Sequence, residues 1–237
     1  MLGALIMSKR GKKYISVSQK LDKKEILGFD NALLKMKELS YAKFDETVDV
    51  HISLGIDPTQ GDQAVRGSVL LPNGRGKTVK VIVFAKGDYQ DKALKAGADA
   101  VGEQDLVDKI IGGWMDFDYA VATPDLMGMV GQLAKLLGPR GLLPNKKTGT
   151  VTFDVAEIVE ELKRGRAFYK NDKSGLVHFS FGKASFGIDK LKENLNSFLK
   201  ALISSKPSSS KGKFLKKMTI SSSMGLGIPV NPDDFSR

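Results

Sequence analysis

The chain contains no cysteine in 237 residues. That excludes a disulfide scaffold, a thiol nucleophile and every thiolate metal site, and it fits a reducing compartment, with cytoplasm as the default. Only two histidines occur, and neither lies at metal-ligand spacing from another strong ligand, so no metal centre is expected. No apolar run approaches the roughly 20 residues needed to cross a bilayer. The apolar opening, residues 1–7, lacks a cationic leader and is too short for a signal peptide, so no membrane partner is expected. Phosphate fingerprints are missing too. Gly76-Lys77-Thr78 matches the end of a P-loop, but Leu71 stands where its first glycine is required, and the loop follows a strand without opening a helix. No G-x-G-x-x-G follows the apolar run at 79–85, which removes the dinucleotide signature.

What is present is an ordinary globular composition, 41% apolar and 27% charged, with a formal charge of +10. The length suits two modest domains. The charge is uneven: residues 161–237 hold 15 basic and 6 acidic side chains, whereas residues 74–160 hold 11 and 12. A polyanion is therefore expected to meet one part of the molecule only.

Residues 8–24 carry a run of lysines with little apolar periodicity and read as a basic arm or loosely held first helix. Asp30 is the expected N-cap of a helix over 31–42. Residues 45–56 alternate strictly, with Val48, Val50, Ile52, Leu54 and Ile56 on one face and Thr47, Asp49, His51 and Ser53 on the other, the pattern of a half-buried strand. A second strand at 65–71 runs into the turn Pro72-Asn73-Gly74-Arg75-Gly76. From residue 79 the grammar changes to strands at 79–85, 99–101 and 119–123 alternating with helices at 88–96, 103–111, 125–137 and 154–163, a doubly wound βαβ series. Beyond Gly165 come strands at 167–170 and 176–181, a helix at 188–203, a Ser/Lys-rich loop at 206–213 and a last strand at 214–223. One helix and two strands cannot form a stable core alone, so both ends of the chain are expected to pair into one domain. The expected domains are therefore 1–73 with 161–237, and an insert at 74–160. Two chain crossings form a hinge at Pro72, Gly74, Gly76 and Gly165.

Three segments carry what RNA recognition needs: cations for phosphates, a ring for stacking, and small residues that let backbone amides approach ribose. They are Lys43-Phe44-Asp45-Glu46-Thr47, Asn171-Asp172-Lys173-Ser174-Gly175 and Ser221-Ser222-Ser223-Met224-Gly225. Each has a plainer reading. Composition alone favours a core place for Phe44, 173–175 is an ordinary hairpin turn, and a solvated strand histidine accounts for His51 or His178 taken singly. If the terminal pieces share a sheet, both histidines lie on its polar face. The loop from Leu137 to Lys147 is the insert's basic cluster, either a proline-stiffened connection or a contact for a second RNA.

Gly-Trp-Met-Asp-Phe-Asp at 113–118, Ala-Thr-Pro-Asp at 122–125 and Leu-Gly-Pro-Arg-Gly-Leu-Leu-Pro-Asn at 137–145 resemble the bacterial ribosomal protein L-one family. So do Lys-Phe-Asp-Glu-Thr-Val at 43–48, Leu-Gly-Ile-Asp-Pro at 54–58, Val-Arg-Gly at 65–67, Asn-Asp-Lys-Ser-Gly at 171–175 and Gly-Lys-Ala-Ser-Phe at 182–186. The resemblance runs from about residue 8 to residue 232. The family begins like Met7 to Lys12, so residues 1–6 read as an upstream extension.

The resemblance implies a mixed α/β and α+β protein of two domains. A split two-layer α+β domain is made of both termini, and a Rossmann-like three-layer α/β domain is inserted between them. It implies a non-enzymatic component of the large ribosomal subunit, in the cytoplasm, without cofactor or metal and monomeric when free. Such a protein binds large-subunit ribosomal RNA, sits among other components of that subunit, forms the mobile stalk near the exit site, assists release of exit-site tRNA, and represses its own operon mRNA. Carried over by position, Lys43, Phe44 and Thr47 match one RNA-contacting segment, Asp172, Lys173, Ser174 and His178 a second, and Ser223, Met224 and Gly225 a third. Family members often have Thr-Thr-Thr-Met-Gly where this chain has Ser221-Ser222-Ser223-Met224-Gly225, which keeps the hydroxyls and loses the stiffer χ1. Two rival readings stand beside this one. A nucleotide-binding α/β enzyme would show saturable nucleotide binding, and a nonspecific RNA chaperone would bind any RNA with similar affinity.

Overall fold

The structure, a computed structural model, describes residues 11–21 and 25–232. The expected extension at 1–6 and the first and last parts of the basic arm lie outside the described residues. In chain order the elements are α1 (Lys12–Ser18), α2 (Phe29–Leu39), β1 (Thr47–Leu54), β2 (Arg66–Leu70), β3 (Val81–Phe84), α3 (Asp88–Lys95), β4 (Ala100–Gly102), α4 (Gln104–Ile111) and β5 (Tyr119–Ala122). Then follow α5 (Met127–Val130), α6 (Ala134–Leu137), α7 (Val155–Arg164), β6 (Arg166–Lys170), β7 (Leu176–Lys183), α8 (Ile188–Ser204), β8 (Leu215–Ser222) and β9 (Ile228–Val230). The chain forms two compact units, 1–64 with 170–199 and 206–237, and 65–169 with 200–205.

The first unit is built on an antiparallel sheet ordered β7-β1-β8-β9. β1 buries every second residue, as its alternation predicts, with Val48, Val50 and Ile52 fully enclosed. Opposite them Val177, Phe179 and Phe181 of β7 and Met218 and Ile220 of β8 complete one apolar face. Leu33 and Met36 of α2 and Leu191, Leu195 and Phe198 of α8 are buried with that face, and Phe198 stacks on Phe179 at 4.0 Å between centroids. The other face carries the polar parity of β1, with Thr47, Asp49, His51 and Ser53 half-buried. α2 starts at Phe29, with Gly28 in the cap position. Asp30 therefore sits inside the first turn, where its charge favours the helix dipole, and does not cap the helix. β9 went unread in the sequence because it is three residues long and contains Pro229, which is tolerated only at a sheet edge.

The second unit contains a parallel sheet ordered β4-β3-β5. β3 is buried along its whole length, as a continuous apolar run between two layers should be. Leu106, Val107, Ile110, Val130, Leu133 and Leu137 pack on one side with Ile82 and Phe84, and Ala93, Val155, Val159 and Leu162 on the other with Val81 and Val83. The helix expected over 125–137 is broken into α5 and α6 by a tighter turn at Gly131–Leu133, although Leu126, Val130, Leu133 and Leu137 of its expected stripe are buried and Met129 is partly so. Gly128 and Gly131 weaken the helix there, and short 3₁₀ pieces relieve it. β2 and β6 form a separate two-stranded sheet.

Candidate nucleic-acid interface

The register of the four-stranded sheet decides which sequence segments meet. Thr47 opens β1 opposite Lys183, at the end of β7, and Val48 lies opposite Ser222, at the end of β8. The first and third segments therefore share one end of the sheet. The second segment precedes β7, whose Leu176 pairs with Ser53. It lies six residues along β1 from Thr47, about 20 Å away at 3.3 Å per residue. The first and third segments are brought together, and the second, 171–175, stands at the far end of the same strands.

At the shared end, the Thr47 amide donates to Ser223 Oγ at 3.0 Å and the Ser223 amide donates to the Thr47 carbonyl at 3.1 Å. Lys183 Nζ donates to Thr47 Oγ1 at 3.0 Å, so Thr47 is held from both neighbouring strands. The Met224 amide donates to a Glu46 carboxylate oxygen at 3.0 Å, and the Tyr41 hydroxyl donates to the Met224 carbonyl at 2.7 Å. The remaining Glu46 oxygen accepts from the Ser40 hydroxyl. Asp45 accepts from the Ser185 amide and hydroxyl at 3.0 and 2.8 Å. The backbone at Thr47, Ser223 and Met224 is thus held by hydrogen bonds while two large apolar side chains are exposed: Phe44 is 58% exposed and Met224 51%. Composition favoured a core place for Phe44. Its exposure corrects that reading, and the cause is local, because the chain bends at 43–44 before the alternating register begins. Lys43 is also exposed. A ring, a thioether and a cation therefore project beside donors already fixed in space.

At the far end, Asp172 organises its own loop. Its Oδ1 accepts from the Ser174 and Leu176 amides at 2.9 and 2.8 Å, and the Asp172 amide donates back to the Leu176 carbonyl at 2.8 Å. The Leu176 amide, with that of Ser174 beside it, holds the Asp172 carboxyl below the usual carboxylate range. Gly175 completes the turn at φ +74°, and Lys173 and Ser174 stand exposed at its tip. Between the two ends, His51 faces His178 across the strands with their Nδ1 atoms 2.8 Å apart. His51 Nε2 lies 3.1 Å from Ser221 Oγ, and His178 Nε2 lies 3.7 Å from Asp172 Oδ2. Burial, and then the neighbouring His178, push the His51 imidazole below its ordinary range, against a smaller opposite pull from Asp49. The two histidines do occupy the polar face of one sheet.

Sequence reasoning did not single out Glu46, Tyr41 or Lys183. A signal for Glu46 was there: the even-numbered parity that buries Val48, Val50 and Ile52 also takes in residue 46, and Glu46 is 1% exposed. The expected hinge residues lie within 65–169. Gly74, Gly76 and Gly165 all have positive φ, and Gly165 ends α7 against Gly74, so close that a β-carbon on Gly165 would lie 2.7 Å from Gly74 Cα. Pro72 is exposed beside them. In the basic loop, Arg140, Lys146 and Lys147 are exposed. Among the described residues no group of three or more His, Asp or Glu side chains is placed to hold a metal, and no helix is long and apolar enough to cross a membrane.

A family model described as the ribosomal protein L1p/L10e family matches residues 35–226. The large ribosomal subunit protein uL1 of Desulfotalea psychrophila (strain LSv54 / DSM 12343) is 53% identical over 226 residues, covering 95% of this chain and 96% of that protein.

Proposed function

The chain belongs to the ribosomal protein L1p/L10e family, and from that membership we propose that the first compact unit grips a folded element of large-subunit ribosomal RNA. The protein is a structural, non-enzymatic component of the large ribosomal subunit in the cytoplasm. The proposed RNA-binding domain, residues 1–73 and 161–237 around an inserted domain at 74–160, is wider than the first compact unit, which leaves 65–73, 161–169 and 200–205 to the second. The observation that carries the reading is the outward display of Phe44 and Met224 on a backbone pinned by Thr47, Ser223 and Glu46. Exposed apolar side chains on rigidly bonded loops suit stacking on an irregular RNA surface. Lys43, Lys173 and the basic excess of the C-terminal third supply phosphate attraction. Asp172, Ser174 and His178 meet the same RNA some 20 Å further along the sheet, and Gly225 lets the third segment approach closely.

The finer partners follow from the same reading. The exposed Arg140, Lys146 and Lys147 of the insert meet exit-site tRNA, whose release the protein assists from a mobile stalk. Pro72, Gly74, Gly76 and Gly165 form the hinge of that stalk, since glycines at positive φ absorb backbone rotation that other residues resist. A site on its own operon mRNA that imitates the ribosomal element makes the protein a translational repressor. The deciding experiment compares affinity for a large-subunit ribosomal RNA fragment with that for random RNA of equal length across a salt series. A preference of about 10³ or more at moderate salt supports recognition. Equal affinities that fall in parallel with salt leave only phosphate attraction and refute it.

A further inference from the structure

Glu46 is a carboxylate where the strand pattern calls for an apolar side chain. It is 1% exposed and sits one residue before β1 in the inward register. An acid in such a place costs stability unless its oxygens are hydrogen-bonded. Both of them are. One accepts from the Met224 amide at 3.0 Å, 178 residues away in sequence, and the other accepts from the Ser40 hydroxyl at the end of α2. The Glu46 backbone carbonyl accepts from the Ala184 amide at 2.8 Å, just beyond β7. Residues 40–47, the end of β7 and the loop after β8 therefore converge on this one residue. Of the residues that hydrogen-bond to Glu46, Met224 carries a large exposed side chain, and its peptide is held on both sides: its amide donates to Glu46 and its carbonyl accepts from Tyr41.

We infer that Glu46, with Tyr41, is a positioning residue for RNA recognition: it fixes the peptide of Met224 so that the exposed thioether stands at a set distance and angle from Phe44. The inference deepens the RNA-binding reading and rests on it. Glu46 itself meets no RNA, because it is enclosed. Its negative charge would repel phosphate, so its presence within the site is explained by geometry and not by attraction. A buried acid joining three chain segments is also a costly way to gain stability alone, since apolar replacements of buried ionic groups are often neutral or stabilising.

The test separates hydrogen bonding from charge. Glu46→Gln and Glu46→Leu both remove the charge, but only glutamine keeps an acceptor for the Met224 amide and a donor for Ser40 Oγ. Hydrogen exchange at the Met224 amide reads the clamp directly, and affinity for the ribosomal RNA fragment against random RNA reads its consequence. In Glu46→Leu the Met224 amide should exchange faster and fragment affinity should fall about tenfold to a hundredfold, the equivalent of losing one hydrogen bond to a charged group, with random-RNA affinity unchanged. Glu46→Gln should stay within about threefold of the parent protein. A folded Glu46→Leu protein with a fast-exchanging Met224 amide and undiminished fragment affinity overturns the inference. Should Glu46→Leu fail to fold, Tyr41→Phe removes only the hydroxyl from the Met224 carbonyl. A several-fold loss of fragment affinity supports the inference, and parental affinity overturns it. A parent protein without preference for the fragment refutes the RNA reading instead, and the exchange rate at Met224 distinguishes that result from loss of the clamp.

Discussion

Thr47 and Ser223, 176 residues apart, close a reciprocal pair: the Thr47 amide donates to Ser223 Oγ and the Ser223 amide donates to the Thr47 carbonyl. This pair extends the β1–β8 ladder one step beyond Ser222 by recruiting a side chain where β8 ends. It fastens the first candidate segment to the third, so under the proposed function less ordering entropy is lost on RNA binding.

Ser223→Ala removes the acceptor of the Thr47 amide. Stability should fall by about 1 kcal/mol, the usual net worth of one such bond, and ribosomal RNA affinity should fall with it. Ser223→Thr retains the hydroxyl and stiffens χ1, so it should match or exceed the parent in both. Urea unfolding and filter binding of the two variants give the comparison. A weakened threonine variant would show that the hydroxyl is not the operative group.

Ser222 and Gly225 are expected to be coupled. Ser222 Oγ is buried and, among the described residues, has no hydrogen-bond partner, and a β-carbon on Gly225 would overlap it. Ser222→Ala should be neutral or stabilising by up to about 1 kcal/mol, since it removes an unsatisfied group. Gly225→Ala alone should destabilise, and the double variant should recover part of the loss, with a coupling of about 0.5 kcal/mol or more in a thermodynamic cycle. Strict additivity would mean that the loop moves aside freely.

Met224→Ala shortens a side chain that is 51% exposed. Thermal unfolding should shift little, because surface truncations usually change stability by no more than about 0.5 kcal/mol. Binding of the ribosomal fragment should weaken by about 1 to 3 kcal/mol, the range seen for interface side chains that matter. Full affinity in this variant would remove Met224 from the interface.

The histidine pair predicts a pH dependence with a definite sign. His51 is held below its ordinary range by burial and by His178. The unfolded chain therefore takes up a proton at residue 51 before the folded one does. The stabilisation is complete above the unfolded value, near pH 6.5, and is lost as pH falls from there through the folded value. The groups facing the pair are Asp49, Asp172 and Ser221. Denaturation measured from pH 5 to pH 8 should show stability declining below about pH 6.5, and His51→Gln should flatten that decline. An unchanged slope in the variant would assign it to other groups.

Gly165 ends α7 at φ +120°, and a β-carbon there would lie 2.7 Å from Gly74 Cα. Gly165→Ala should cost about 2 to 4 kcal/mol, combining a backbone conformation closed to alanine with displacement of a neighbouring chain. Calorimetric unfolding tests it. A loss under about 0.5 kcal/mol, the level of an ordinary surface change, would show that the two glycine turns separate readily.

β1 and β3 are readable in the sequence because their patterns are local. Alternation at 47–54 marks a sheet with one wet face, and the unbroken apolar run at 81–84 marks a strand covered on both sides. Element ends were less readable. Asp30 looks like a cap by composition, yet the helix starts at Phe29, two residues before the expected start, and Phe29 is drawn into the core. The three candidate RNA segments could be picked out by residue type, but not their arrangement, since strand register lies between residues more than a hundred positions apart.

The family, the two kinds of sheet and the candidate residue types for meeting RNA are legible in the sequence, because periodicity, charge and motif order are properties of neighbouring residues. Tertiary structure alone decided that Phe44 faces solvent, that Glu46 holds the Met224 peptide, and that His51 meets His178. Those relationships depend on which strand edges pair and in what register, and that is settled by the joint packing of distant segments around one core.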